Sequence, residues 1–199
     1  MGKALLGGKG VSAIPAVLRT PRSRWIETAA AALADGGIDA VRVEVLAARL
    51  GVSKGGFYAH FASRTQLLDE LLAHWEQETI NTVLDQLGDD TLDPITQIRE
   101  AGALTFSDTV LPLDLAVRNW ARHDPEVRER LRRADNARMD FLRSRFGRFV
   151  DDPIEIEARC ILAFTLAIGA GFLAADLRGT TRADAFSAAA DHVFGKPGE

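Results

Sequence analysis

Residues 41–68 read VRVEVLAARLGVSKGGFYAHFASRTQLL, and this stretch decides the fold. Two short helices that cross closely need a small residue at the crossing, and Ala47 supplies it. Four residues on, Gly51 supplies a turn residue that tolerates positive φ. Leu46, Leu50, Val52 and Phe57 fall at spacings that point into a shared core. Ser53 occupies the N-cap position ahead of the second helix. Lys54, Tyr58 and His60 are left facing outward, and Gly55 and Gly56 let a partner approach the backbone. A buried skeleton with an exposed basic and aromatic edge is the pattern of a helix-turn-helix that enters DNA. Taken by itself, the stretch also fits a helical hairpin inside a larger bundle.

The flanks favour the DNA reading. Upstream, residues 24–34 (RWIETAAAALA) place Trp25, Ile26, Ala29, Ala30 and Leu33 on one side of a helix, which Asp35-Gly36-Gly37 ends. Ile38 and Val41 return the chain to the core. Downstream, Phe61-Ala62-Ser63-Arg64 makes a break before a long helix carrying Leu67, Leu68, Leu71, Leu72 and Trp75. Residues from about 22 to 77 therefore run helix, glycine turn, two-helix reader, aromatic break, long helix. Gly36-Gly37, Leu46-Ala47, Gly51-Val52-Ser53-Lys54-Gly55, Phe57-Tyr58, His60-Phe61 and Arg64 with Leu67-Leu68 resemble the TetR family of bacterial transcriptional regulators. The resemblance covers roughly a third of the chain; the rest matches in length and helical character.

Composition sets the frame. The chain has 199 residues and a net charge of −4, an odd balance for a nucleic-acid binder until it is divided. Residues 1–64 hold nine Lys/Arg against four Asp/Glu, and residues 65–199 hold fifteen against twenty-four. A basic head on an acidic body is expected if only the head meets phosphate. The lone Cys160 excludes an internal disulfide and fits a reducing cytoplasm; in its apolar setting it reads as core. No signal peptide is expected, and residues 1–20 read as a flexible arm with Lys3, Lys9 and Arg19. Residues 160–175 (CILAFTLAIGAGFLAA) fall short of the ~20 apolar residues of a membrane span, so a buried helix is expected and no membrane association.

The body reads as further helices. Residues 78–87 continue the long helix and Gly88-Asp89-Asp90 closes it. Asp93-Pro94, Asp124-Pro125 and Asp152-Pro153 each open a helix. The second of these is rich in arginine, with Val127, Leu131, Ala134, Met139, Leu142 and Phe146 spaced for burial and its charges read as a salt-bridged surface. The third is expected to run through Leu177. Residues 182–194 (RADAFSAAADHVF) make the last helix. Strand alternation, repeats and low-complexity tracts are absent from the sequence. The fold class is all-α, with residues 21–66 as a three-helix helix-turn-helix DNA-binding domain and residues 67–199 as a helical ligand-binding and dimerisation domain.

The resemblance implies a homodimer through the last two helices, where small residues at 166, 169, 170, 171, 174 and 175 would allow close approach. Two heads would then read an inverted-repeat operator in double-stranded DNA. The DNA-binding residues expected are Arg24, Arg42, Ser53, Lys54, Gly55, Gly56, Tyr58, His60 and Arg64. Ser53 would cap the reader, Lys54 would reach a base edge or phosphate, and Tyr58, His60 and Arg64 would hold phosphate. Arg42 departs from the small hydroxyl residue common at its position. Gly56 beside Gly55 weakens the reader, since each helical glycine costs ~1 kcal/mol relative to alanine, and predicts order only on DNA. The family also implies a pocket for an unknown small-molecule effector in the body. Trp75, Phe106, Arg118, Trp120, His123, Phe141, Phe164 and Phe172 are its candidate lining.

No cofactor is expected. His60, His74, His123 and His192 lack metal-ligand spacing, and no phosphate loop or nucleophile motif occurs, so neither a metal site nor a catalytic one is expected. The readings that stay open beside a repressor are an activator with the same fold and a helical small-molecule-binding or interaction protein without operator binding.

Overall fold

The computed structural model describes residues 20–82, 92–105 and 107–195, and the regular structure among them is entirely helical, as the sequence predicts. A head is formed by α1 (Arg22–Gly36), α2 (Val43–Leu50) and α3 (Lys54–Tyr58), with a 3-10 turn at Ile38–Ala40 between the first two. α4 (Arg64–Glu76) runs on into a π-helical stretch, Gln77–Thr82. The body is completed by α5 (Pro94–Thr105), α6 (Leu111–Ala121), α7 (Pro125–Phe146), α8 (Pro153–Phe172) and α9 (Arg182–Phe194). The arm before Thr20, the expected stop at Gly88-Asp89-Asp90 and Phe106 lie outside the described residues. α8 ends five residues earlier than the apolar run predicts, because Leu173 is already extended at φ −73°, ψ 109°.

Short polar residues set the helix starts. Asp93 accepts hydrogen bonds from the Ile95 and Thr96 N–H groups, Asp124 from Glu126 and Val127, and Asp152 from Ile154. Each is followed by a proline, whose missing N–H is no loss in a first turn. Ser63 accepts from the Gln66 N–H at 3.2 Å, and Gln66 Oε1 accepts in return from the Ala62 N–H at 2.8 Å. This is a near relative of the capping box, carried by Ser-x-x-Gln. Two stops in the head need glycine. Gly37 has φ 69° and Gly51 φ 67°, a region in which a side chain is strained.

One apolar cluster runs through head and body. Trp25, Leu33, Leu46, Phe57, Phe61, Leu67, Leu71 and Trp75 share it with Val117 and Ala121 of α6 and Val127 and Ala134 of α7. Trp25 and Phe57 meet edge-on at 5.5 Å between centroids, and Phe57 stacks on Phe61 at 5.2 Å. α1 thus packs against α4 on one side and α6 on the other. A second cluster joins Ile98 of α5 and Leu142 and Phe146 of α7 to Cys160 and Ala163 of α8 and Phe194 of α9. Burial pushes the Cys160 thiol up to about 11, in keeping with a core role.

Between α6 and α7 lies a buried ionic group that overturns the expected all-surface role of the α7 arginines. Arg138 turns inward and donates to Asp114 Oδ1 at 2.7 Å and to Asp135 Oδ1 at 3.2 Å. Arg118 donates to Asp114 Oδ2 at 2.7 Å and forks onto both oxygens of Asp135 at 2.8 and 2.7 Å. Other α7 arginines do stay at the surface, Arg132 with Glu129 and Arg143 with Asp140 and Glu157. Asp114 has no solvent exposure. Burial by itself raises its carboxyl pKa, but the charges of Arg138 and Arg118 outweigh burial and hold it below the ordinary range.

Because the folded-state pKa of Asp114 lies below the unfolded one, its contribution is complete above about pH 4 and is lost as pH falls through the folded value. Replacing Asp114→Asn leaves two guanidiniums with one carboxylate fewer and should cost about 3–5 kcal/mol in urea unfolding at neutral pH. The variant should also lose less stability than the parent on acidification below about pH 4. An unchanged urea midpoint would show that the group is not coupled to folding.

Candidate nucleic-acid interface and ligand cavity

The head presents α3 on a rigid base. Phe57 is fully buried, and Tyr58, its neighbour, is 63% exposed. Lys54 and Gly55 are exposed on the same short helix, and Gly56 is half-buried, facing Trp25. Ser53 stands at the N-cap with φ −78°, ψ 157°, but its side chain makes no capping bond, contrary to expectation. The Lys54 ammonium reaches Glu44 of α2 at 2.6 Å. The same contact lowers the Glu44 pKa, first through the hydrogen bond from Lys54. Both partners are well exposed, so the pair adds little to stability and exchanges readily for another anion. Arg24, paired with Glu27 at 3.0 Å, and Arg42 add exposed cationic groups at the starts of α1 and α2.

Two arginines of the head do a different job. The Arg64 guanidinium donates to Val41 O at 2.5 Å and to Ile38 O at 2.7 Å. It therefore ties the turn between α1 and α2 to the start of α4, where the sequence predicts a phosphate clamp. Arg22, which the sequence reading passes over, donates to Glu70 Oε2 at 2.8 Å and to the His60 carbonyl, and lies 4.4 Å above the Phe61 ring. His60 is half-buried beside Phe61. Arg22 fastens α4 to the end of the reader, and Arg64 fastens α4 to the α1–α2 turn. Glu70 lies 48 residues from Arg22, so no local spacing marks that pair.

In the body, a cavity of about 410 Å³ opens between α5, α7, α8 and α9 and reaches Thr79 of the π-helical stretch. Among the candidate residues, Phe141 and Phe164 line it. The others that are described do not. Trp75 is buried in the head-spanning cluster, and Trp120 packs against that cluster with its indole N–H donating to Asp124 at 3.2 Å. Arg118 belongs to the buried ionic group and lies 5.4 Å from the Phe164 ring, one layer behind the wall. His123 is exposed, and Phe172 is 67% exposed at the end of α8. Ile98, Ala163, Leu166 and Arg138 line the cavity without having been singled out.

Ile154, Ile161 and Leu162 are exposed on α8 along with Phe172. Gly171, one of the small residues expected to admit a second backbone, is used within the chain instead. A Cβ there would stand 2.9 Å from Leu111 Cδ2 and Leu115 Cδ1 of α6. Among the described residues no helix is long and apolar enough to cross a membrane, and no group of three or more His, Cys, Asp or Glu is placed to hold a metal ion.

Residues 26–71 match the family model described as bacterial regulatory proteins, tetR family. The head is therefore a tetR-family helix-turn-helix, as its motifs predict. Solved structures share the fold of the whole. The TetR family transcriptional regulator PfmR from Thermus thermophilus is 18% identical with a TM-score of 0.67, covering 88% of this chain and 100% of its own. AibR, solved with isovaleryl coenzyme A and operator DNA, is 17% identical with a TM-score of 0.67, covering 87% and 99%. The transcriptional regulator FadR from Bacillus subtilis, solved with stearoyl-CoA, is 13% identical with a TM-score of 0.64, covering 88% and 98%. No curated protein matches the chain in sequence.

α3 is helical over its five residues, Lys54–Tyr58, with Gly55 and Gly56 both inside it. A Cβ on Gly56 would meet Trp25 Cζ2 at 3.6 Å and Val52 Cγ2 at 3.8 Å, ordinary contact distances. Gly56→Ala should therefore raise global stability by about 0.5–1 kcal/mol, read as a higher urea midpoint at unchanged slope. A lower midpoint would mean that the contact with Trp25 is too tight for a methyl group.

Proposed function

We propose that this chain, with its tetR-family head, is a sequence-specific DNA-binding transcriptional regulator that represses from an inverted-repeat operator as a homodimer and is released by a small-molecule effector. The observation that carries the reading is the exposed edge of α3, Lys54, Gly55 and Tyr58, held out from a base in which Phe57 is fully buried. Residues 21–66 act as the DNA-binding domain and residues 67–199 as the ligand-binding and dimerisation domain. Lys54 releases Glu44 and takes a base edge or a phosphate. Tyr58, His60, Arg24 and Arg42 contact the backbone around it, while Ser53, Gly55 and Gly56 allow close approach. Arg64 serves by fixing α4 to the α1–α2 turn.

The apolar residues exposed on α8, with α9 beside it, form the dimer seam and place both heads on one side, where they meet successive major grooves. The cavity is the effector site. It touches both the seam helices and Thr79, which continues the helix that begins at the head, so an occupant that favours one spacing of the heads would shift DNA affinity. The neighbours solved with acyl-coenzyme A bound support a ligand-taking body. The protein works in the cytoplasm, by binding and without a catalytic step.

Selection of the purified protein on random duplex DNA at physiological salt should enrich an inverted repeat whose half-sites lie about 34–36 Å apart. Lys54→Ala and Tyr58→Ala should each weaken binding to the enriched sequence by roughly ten-fold or more, with unchanged dimer mass. Absence of enrichment by an intact dimer, or full affinity in both variants, would overturn the proposal.

A further inference from the structure

The cavity is walled chiefly by hydrocarbon, with Ile98, Leu142, Ala163, Phe164 and Phe194 around it. Two charged side chains line it among the described residues, Arg99 and Arg138, and each already faces carboxylates. Arg99 pairs with Asp191 of α9. Arg138 pairs with Asp114 and Asp135, which also hold Arg118, so its guanidinium is already engaged by carboxylates.

This pairing bears on what can enter. A cationic ligand would leave water to face arginines and hydrocarbon. An anionic one that entered deeply would have to draw Arg138 from Asp114, a carboxylate with no exposure, and leave that charge uncompensated; at the rim it would meet only Arg99, in exchange for the exposed Asp191. Taking a charge into the hydrocarbon interior is costly by either route, so a neutral compound is favoured by about ten-fold or more over a charged one of equal shape. One polar group is differently placed. Thr79 is 2% exposed, lines the cavity, and its hydroxyl has no hydrogen-bond partner. A helical threonine usually returns its hydroxyl to a carbonyl of the preceding turn. Thr79 instead sits in the π-helical stretch Gln77–Thr82, a winding common at functional sites.

We infer that the effector is a neutral, largely hydrocarbon molecule carrying one hydrogen-bonding oxygen, of the alcohol, ketone or ester class, which Thr79 reads. This rests on the cavity being the effector site. At about 410 Å³ the cavity is near the small end of the ~300–1,000 Å³ usual for ligand sites. The whole of a coenzyme A ester is a poor fit.

The test is calorimetric titration of the purified full-length protein with four probes that share a decyl or decanoyl chain: 1-decanol, decanoate, decyltrimethylammonium and decanoyl-coenzyme A. The expected result is that decanol binds at least ten-fold more tightly than the three charged probes. Ala163→Phe should abolish its binding, and Ala167→Phe serves where the first variant fails to fold. Thr79→Val should weaken decanol several-fold and Thr79→Ser should restore it, as expected for one hydrogen bond. A charged probe binding as tightly as decanol, failure of all four to bind, or full decanol affinity in Thr79→Val would overturn the inference. Release of the selected DNA is scored separately. Decanol binding without release would overturn the effector-site reading and leave the ligand class standing. Release by a charged probe with no decanol binding would overturn the ligand class alone.

Discussion

The apolar cluster that starts at Trp25 and ends on α7 is the constraint on which the rest of the molecule depends. A head of three short helices is too small to bury Trp25, Phe57 and Phe61 by itself, and α3 has only five residues. The missing cover comes from α4 on one side and, through α1, from Val117 and Ala121 of α6 on the other. Each fully buried aromatic or leucine side chain contributes about 1.5–3 kcal/mol, so the cluster outweighs the poor helix-forming tendency of Lys54-Gly55-Gly56. The reader is held in place by its packing, not by its own propensity. The same packing means that the reader cannot turn without disturbing α1 and α4.

Polar groups then fix the angles that an apolar cluster leaves soft. Arg22 fastens the end of the reader to α4, Arg64 fastens α4 to the α1–α2 turn, and Asp114 with Arg118, Asp135 and Arg138 locks α6 to α7. A buried ionic group of this kind adds less to stability than an apolar replacement of similar shape would, but it tolerates few alternative registers. Its position matters for function because Arg138 belongs both to the group and to the cavity wall. From there α6 leads directly to α1 of the head.

The head was legible in the sequence because its determinants are local. Ala47, Gly51 and Phe57 fall within one short window, and the structure gives them the small crossing residue, the left-handed turn and the buried anchor their spacing predicts. Helix starts at Asp93, Asp124 and Asp152 were equally plain, since a cap is a matter of two or three residues. The body resisted for the converse reason. A cavity is a space left between four helices, and no single segment encodes it. Large aromatics were a poor guide: Trp75 and Trp120 fill core instead of lining space, whereas Ala163 and Ala167 line it because they are small. In α7 the arginines alternate with acids throughout, and nothing in that alternation marks Arg138 as the one that meets the buried Asp114. Arg64 looked like a phosphate ligand by position, and only its two carbonyl acceptors reveal its other use.

If one core joins head and body, they must open together. Amide hydrogen exchange under increasing urea, comparing α1 and α4 with α6 and α7, tests this directly. A shared core requires the slowest amides of all four helices to exchange with the same free energy and the same dependence on urea. Exchange of α1 and α4 through a separate opening of lower energy, weakly dependent on urea while α6 and α7 stay protected, would contradict it.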